Sequence, residues 1–148
     1  MAVEVVSNDY GTIGALCPAE VMRVQPDEHL IRVSWLSEAG DAQEELVSVE
    51  RARPAPPQLS DEERQQWLQR IAPGEVLELF YDHAWWEVQL VQQGADKLNV
   101  LSTTYQKMHR VTSSRLRPKF DWQGWSGGWE YKVGEEVVPL VAGRPLSA

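Results

Sequence analysis

The sequence contains an internal repeat, and this repeat restricts the fold more than any other feature does. Segments of the first half recur in chain order in the second half: residues 3–5 match 77–79, residues 15–22 match 84–91, residues 31–33 match 98–100, and residues 47–54 match 111–118. The offsets are 74, 69, 67 and 64 residues and shrink only at loops. Because one match of this kind can arise by chance but four in order do not, the sequence predicts two copies of one small fold.

Each copy is predicted to consist of short β-strands. In the first copy, apolar residues alternate with polar ones over 3–6, 19–24, 30–36 and 46–49, and turn-forming residues separate these runs. Alternation with a period of two indicates a strand with one buried face, and no helical period is present in these segments. The pattern therefore favours a small antiparallel barrel or sheet.

A short helix is predicted between the two copies. Ser60 is followed three positions later by Glu63, the spacing of a capping box at the start of a helix. The apolar residues after it recur at helical spacing and predict one buried face, formed by Trp67, Leu68 and Ile71.

Prolines and the repeat together predict the division of the chain. Pro54, Pro56 and Pro57 end the first sheet, since proline cannot donate to a ladder of hydrogen bonds. The predicted division is a first repeat at 1–57, a linker helix at 58–72, a second repeat at 73–119, and a closing segment rich in tryptophan and glycine with a tail at 120–148.

The stretch 77–91 predicts a β-hairpin whose turn gathers aromatic residues. Two alternating apolar runs flank the turn at 82–84, and Phe80, Tyr81, Trp85 and Trp86 lie within seven positions. Side chains alternate along a strand, so Trp85 and Trp86 point to opposite faces and only one of them is expected in the core. The other is expected at a surface rim, where an exposed aromatic favours a binding role.

The charge of the chain restricts the kind of partner that it is expected to bind. The net charge is -8, and residues 1–57 carry ten Asp and Glu against four Lys and Arg. A protein that binds duplex DNA needs a basic stripe, so the excess acidity favours a basic peptide as partner over duplex DNA. The alternative is that the acidity only keeps a small protein soluble.

The residues do not predict a disulfide-bonded protein, a metalloprotein, a membrane protein or an enzyme. Cys17 is the only cysteine, so internal disulfides and multi-cysteine zinc sites are excluded, and no cofactor or metal is predicted. No apolar run has the length of a membrane span, so no membrane partner and an intracellular location are expected. The three histidines, His29, His83 and His109, are scattered without a nucleophile elbow or metal spacing, so no enzymatic activity is predicted.

The repeated segments resemble a tandem Agenet cassette of the Tudor-like, or Royal, superfamily over residues 1 to about 130. The resemblance rests on Val-Glu-Val at 3–5, Gly-Ala-Leu-Cys-Pro-Ala-Glu-Val at 14–21, Ala-Trp-Trp-Glu at 84–87, Leu-Arg-Pro at 116–118 and Asp-Trp-Gln-Gly-Trp at 121–125. It implies a mainly β protein with two tandem Tudor-like five-stranded antiparallel barrels and a short connecting helix. It also implies a nuclear chromatin reader, with heterochromatin as the setting and a plant source.

The resemblance implies an aromatic cage that binds a methylated lysine of a histone tail by cation–π attraction. The cage positions of the second copy fall on Phe80, Trp86 and Tyr105, with Ser102 where some relatives place another aromatic and Trp85 turned inward.

In the first copy, the same positions fall on Val6, Cys17 and Trp35, so a complete cage is not expected there unless Tyr10 joins Trp35 as a secondary aromatic site. The predicted contacts to a basic peptide are the acidic residues Glu38, Asp41, Glu44, Glu45 and Asp82.

By the same resemblance, the favoured target is the histone-three tail with lysine nine dimethylated and lysine four unmodified. The alternative is an RNA-associated or methylarginine- or protein-binding Tudor module without histone specificity. The oligomeric state does not follow from the sequence.

Overall fold

The computed structural model describes residues 1–8, 13–36 and 41–140. Two compact units make up the chain. The first contains Met1–Ala55 together with Phe80–Trp86, and the second contains Pro56–Leu79 and the residues from Glu87 onward. Tyr10 and Glu38, two of the predicted site residues, lie outside the described residues.

Five strands form the first unit's sheet, and the prediction of antiparallel β-structure is confirmed. They pair in the order β5-β1-β2-β3-β4. Their bounds are β1 Ala2–Val6, β2 Leu16–Gln25, β3 Leu30–Leu36, β4 Ala42–Ser48 and β5 Ala52–Pro54. The buried side chains of this sheet are mostly β-branched, and they form a small aliphatic core of Val3, Val5, Ala19, Ile31, Val33 and Val47.

The second unit repeats this arrangement, as the sequence repeat predicts. Its strands pair in the order β10-β6-β7-β8-β9. The bounds are β6 Val76–Tyr81, β7 Ala84–Gln93, β8 Leu98–Ser102, β9 Met108–Val111 and β10 Leu116–Pro118. Even the irregularities correspond: the β2–β3 register shifts between Val21 and Arg23, and the β7–β8 register shifts between Leu90 and Gln92. Each bulge lies at the same place in its copy.

Closed barrels are not found in the described residues. In each copy a 3-10 turn follows the fourth strand, at Val49–Arg51 and at Ser113–Arg115, and turns the chain away. The fifth strand then has only three residues, and it pairs with the first strand rather than with the fourth. The sheets are therefore open, which differs from the barrel prediction.

Equivalent buried ion pairs hold the first and fifth strands of each copy. Glu4 is 3% exposed and Glu78 is 4% exposed. In the first unit Arg53 Nη2 lies 2.9 Å from Glu4 Oε1, and in the second Arg117 Nε lies 2.9 Å from Glu78 Oε1. Each pair joins residues that are direct partners in the sheet register. The repeat thus preserves a charged cross-strand contact as well as the apolar pattern.

The predicted helix is confirmed as α1, Asp61–Arg70. Ser60 Oγ accepts from the Glu63 backbone N–H at 3.1 Å, and Glu63 Oε1 accepts from the Ser60 N–H at 3.0 Å, which completes the capping box. The predicted buried face is also confirmed, because Trp67, Leu68 and Ile71 all lie in the core of the second unit.

We expect Ser60→Ala to lower the free energy of unfolding by about 1 kcal/mol, because the Glu63 N–H loses its acceptor. Chemical denaturation measures this change. The matched control is Gln65→Ala on the exposed side of the same helix. An equal loss in both variants would contradict a specific effect of the cap.

The segment after Pro118 forms a three-stranded antiparallel sheet that the sequence did not predict. It contains β11 Asp121–Trp122, the short helix α2 Gly124–Gly127, β12 Trp129–Val133 and β13 Glu136–Leu140. Trp129 and Tyr131 belong to the second unit's core, and Trp122 packs against it. Trp129 lies 5.0 Å from Trp122 and 6.2 Å from Phe120, measured between ring centroids.

Candidate functional site

The turn of the β6–β7 hairpin is a tight two-residue turn of the type that matches the twist of a β-hairpin. Asp82 and His83 both have positive φ, 56° and 60°. Two consecutive positive φ angles define a type I′ turn, and Asp and His adopt this conformation more readily than most non-glycine residues. Asp82 and His83 are exposed, whereas Ala84, which begins β7, is buried.

Aromatic side chains lie on both faces of this hairpin tip, which we define as Phe80–Trp86. Phe80 and Trp85 pack together with ring centroids 5.0 Å apart and planes at 55°. Trp86, the next residue in β7, points to the opposite face. Its indole Nε1 donates to the Tyr81 backbone oxygen at 2.7 Å. The polar end of Trp86 is therefore satisfied and its ring is held in one orientation.

The prediction that one of the two tryptophans belongs to the core differs from the structure. Trp85 and Trp86 are both half-buried, and neither is a member of the buried core. Trp85 instead packs on Phe80, which is one of the predicted cage residues. This contact can be predicted from the sequence, because a two-residue turn at 82 and 83 places residues 80 and 85 opposite each other on one face of the hairpin.

The hairpin tip lies beside the end of β3 within the first unit. Leu16 of β2 pairs with Trp85, while the same part of β2 pairs with β1 through Leu16–Glu20 on its other edge. β3 begins to pair with β2 at Glu20, opposite Ser34. The tip and β3 therefore lie one after the other along the same edge of β2. Their pairing positions on β2, Leu16 and Glu20, are about 13 Å apart along the strand.

Acidic side chains lie at this end of β3 and β4. Ser34 pairs with Glu44, and Leu36 pairs with Ala42, next to Asp41. Asp41 and Glu44 are exposed. Glu45 differs from them, because its Oε1 lies 3.7 Å from Arg51 Nη1. Of the predicted peptide contacts, Asp41 and Glu44 thus combine exposure with a position near the aromatic tip.

The first copy contributes little to an aromatic site in its described residues. Trp35 is half-buried and packs against the first unit's core, which gives it a structural role. Val6 is 36% exposed and Cys17 is half-buried. Because Tyr10 lies outside the described residues, the expectation that the first copy has no complete cage stays a prediction.

In the second unit, Tyr105 lies in the turn between β8 and β9 and is 46% exposed. Its backbone N–H donates to Ser102 Oγ at 3.2 Å. Ser102 itself is 5% exposed. Its hydroxyl shapes the turn that carries Tyr105, so it does not form an open side of a surface pocket.

A separate cavity of about 410 Å³ in the second unit has no aromatic lining. Its walls combine Glu75 and Asp121 with Lys119 and Lys132, beside the glycines of two turns. Opposite charges balance there, and a methylated ammonium would find no ring face. Among the described residues, no group of three or more His, Cys, Asp or Glu side chains could hold a metal ion. The helices in that part of the chain are all too short or too polar to cross a membrane.

Comparison with solved structures shows the fold. The chain is similar to the crystal structure of Arabidopsis thaliana AGDP1 AGD34, with a TM-score of 0.72 and 23% identity over 89% of this chain and 87% of that one. It is also similar to the ADCP1 tandem Agenet domain 3-4, with a TM-score of 0.68 and 22% identity over 89% of this chain and 85% of that one. No family model and no curated protein matches the sequence. The chain therefore has the tandem Agenet fold.

Proposed function

We propose that this chain is a nuclear chromatin reader that binds a methylated lysine of a histone tail, and that Trp86 is the principal ring of its cage. The tandem Agenet fold of the neighbouring structures supports a peptide-binding module rather than an enzyme. The observation that carries the proposal is the geometry of Trp86, a half-buried indole whose N–H is already bonded to Tyr81 O.

A ring held in this way suits a methylated ammonium. Methylation removes N–H donors and spreads the positive charge over a larger, more apolar group, which is attracted to the face of an indole. Because the Trp86 N–H needs no further acceptor, its ring can meet a cation without a buried polar group losing its partner. A fixed ring also loses little conformational freedom on binding.

The acidic end of β3 and β4 supplies the second half of the proposed recognition. A histone tail is basic, and Asp41 and Glu44 are exposed where β3 ends and β4 begins, in the same unit as the hairpin tip. Charges of this kind steer a basic peptide toward the ring and form charge-assisted hydrogen bonds with unmodified lysine, arginine or an amino terminus. Asp82 in the turn adds a further exposed carboxylate.

The other predicted cage residues, Phe80 and Tyr105, contribute differently to the proposed cage. Phe80 leans on Trp85, so its share in holding a cation is smaller than the sequence pattern implies. The contribution of Tyr105 stays a prediction from the resemblance. The favoured target remains the histone-three tail with lysine nine dimethylated and lysine four unmodified.

Titration calorimetry with matched histone-three peptides tests the proposal. We expect the peptide with dimethylated lysine nine to bind about ten-fold more tightly than the unmodified peptide, since a well-placed ring contributes about 0.5 to 2 kcal/mol. Both affinities should weaken as salt rises, because the acidic surface acts through screened charges. Equal affinity for the two peptides would contradict methyllysine reading, and tighter binding of a methylarginine peptide would favour the alternative Tudor function.

A further inference from the structure

The second copy contains a long segment without acidic residues. Between residues 97 and 119 there are six Lys and Arg and no Asp or Glu, in a chain that has 14 Lys and Arg and 22 Asp and Glu in total. The rest of the chain thus holds eight basic against 22 acidic residues. A stretch of this composition stands out from its surroundings and needs a separate explanation.

Part of this positive charge is used inside the fold. Arg117 pairs with Glu78, and Lys119 Nζ lies 3.4 Å from Glu87 Oε2. Lys107, Arg110 and Arg115 are exposed, and His109 is half-buried. Lys107 directly precedes β9, His109 and Arg110 lie in this strand, and Arg115 ends the 3-10 turn that follows it. We call these four residues, Lys107, His109, Arg110 and Arg115, the basic edge.

His109 and Arg110 are neighbours in β9, so their side chains point to opposite faces of the strand. The positive charges of Lys107 and Arg115 both act on His109, and together with burial, which is the largest cause, they lower the pKa of its imidazole. Arg110 is the next residue in β9 and pairs with Asn99 of β8. In the described residues, β9 pairs with β8 alone, so the other edge of β9 faces away from the sheet.

The equivalent strand of the first copy has the opposite charge. β4 occupies the position of β9 in the repeat, and its residues include Glu44 and Glu45. Because β4 and β9 occupy the same position in the two copies of the fold, folding does not require either sign of charge in this strand. The two copies have diverged in the surface that this strand presents, and divergence of this kind points to different partners.

We propose that the basic edge binds the phosphate backbone of single-stranded nucleic acid. Arginine pairs with phosphate in a bidentate manner, and the planes of Arg and His also stack on unpaired bases. Met108, between Lys107 and His109, is 53% exposed and offers an apolar contact to the same bases. An acidic peptide would use the charges alone. A duplex would hide the faces of its bases from these side chains.

Fluorescence polarisation with a labelled single-stranded oligonucleotide of about 12 residues, prepared as RNA and as DNA, tests this inference. We expect both to bind at low salt, and the triple variant Lys107→Ala, Arg110→Ala, Arg115→Ala to weaken binding at least ten-fold. The slope of log affinity against log salt should fall in magnitude by about 2, since each lost phosphate contact removes about 0.7 for single strands.

The matched control is the triple variant Arg23→Ala, Arg70→Ala, Lys132→Ala, which removes the same number of exposed charges outside residues 97–119. It should bind the oligonucleotides as the parent does. An equal loss in the control would overturn the inference, because net charge alone would then explain binding. Failure of both oligonucleotides to bind the parent, or tighter binding of a polyglutamate peptide that also depends on the basic edge, would overturn it as well. Circular dichroism and an unchanged histone-peptide titration show that the variants remain folded.

Discussion

Replacing Glu78 by alanine is expected to lower the free energy of unfolding of the second unit by about 3 to 5 kcal/mol. Glu78 lies in β6 between the buried Leu77 and Leu79, and its carboxylate pairs with Arg117. The Arg117 guanidinium also lies 5.6 Å from the centre of the Phe120 ring. Loss of the carboxylate leaves a guanidinium that is mostly buried and has lost its partner, which is more costly than the loss of the contact itself.

The double variant Glu78→Leu, Arg117→Met should recover most of this loss, because two apolar side chains leave no unpaired charge and still pack on Phe120. Urea denaturation of the parent, of Glu78→Leu, of Arg117→Met and of the double variant measures the coupling between the two residues. Single variants that lose less than about 1 kcal/mol would show that water reaches the pair and that the charges are not buried in solution.

Replacing Trp86 by alanine is expected to remove most of the preference for a methylated peptide, a loss of about ten-fold in affinity. The ring face is the group that attracts the methylated ammonium, and alanine has none. Trp86→Phe should keep part of the preference, because it keeps a ring while losing the bond to Tyr81 O. Calorimetric titration with the dimethylated peptide measures these losses.

Trp85→Ala is the matched control on the opposite face of the same strand. It removes the contact with Phe80 and should therefore lower thermal stability. Since Trp85 is only half-buried, the cost should be smaller than the roughly 3 to 5 kcal/mol of a fully buried tryptophan. A loss of methyl preference in Trp85→Ala but not in Trp86→Ala would move the cage to the Phe80–Trp85 face.

The repeat was the part of the fold that sequence reasoning could recover. Apolar alternation and the offsets between matched segments follow from strand periodicity, which is local, and both copies have the strand order that a duplicated fold requires. The capping box at Ser60 and Glu63 was also readable, because it depends on a spacing of three residues.

Contacts between distant strands could not be recovered in the same way. The sequence shows Glu4 and Glu78 at matching positions, but their pairing with Arg53 and Arg117 depends on which strand lies beside β1 and β6. Closure of the barrels likewise depends on where the 3-10 turns send the chain. The sheet at β11 to β13 was missed because its strands are short and interrupted by glycines.

The faces of Trp85 and Trp86 show the same limit at the candidate site. Alternation requires the two rings to point apart, and the buried Ala84, Val88 and Leu90 place Trp86, rather than the predicted Trp85, on the core-facing side of β7. Both rings are half-buried, and neither belongs to the buried core. A pattern within one strand gives the face of a ring but not how much of the ring the neighbouring strands cover.

The most direct measurement is a set of four titrations, with the parent protein and Trp86→Ala each binding the histone-three peptide with lysine nine dimethylated and unmodified. If Trp86 holds the methylated ammonium, the binding free energies of the four titrations show a coupling of about 1 kcal/mol or more between the methyl groups and the Trp86 ring. Trp86→Ala then binds the dimethylated and the unmodified peptide with equal affinity. A parent protein that prefers the dimethylated peptide, with the same preference unchanged in Trp86→Ala, would contradict the assignment of the cage to Trp86.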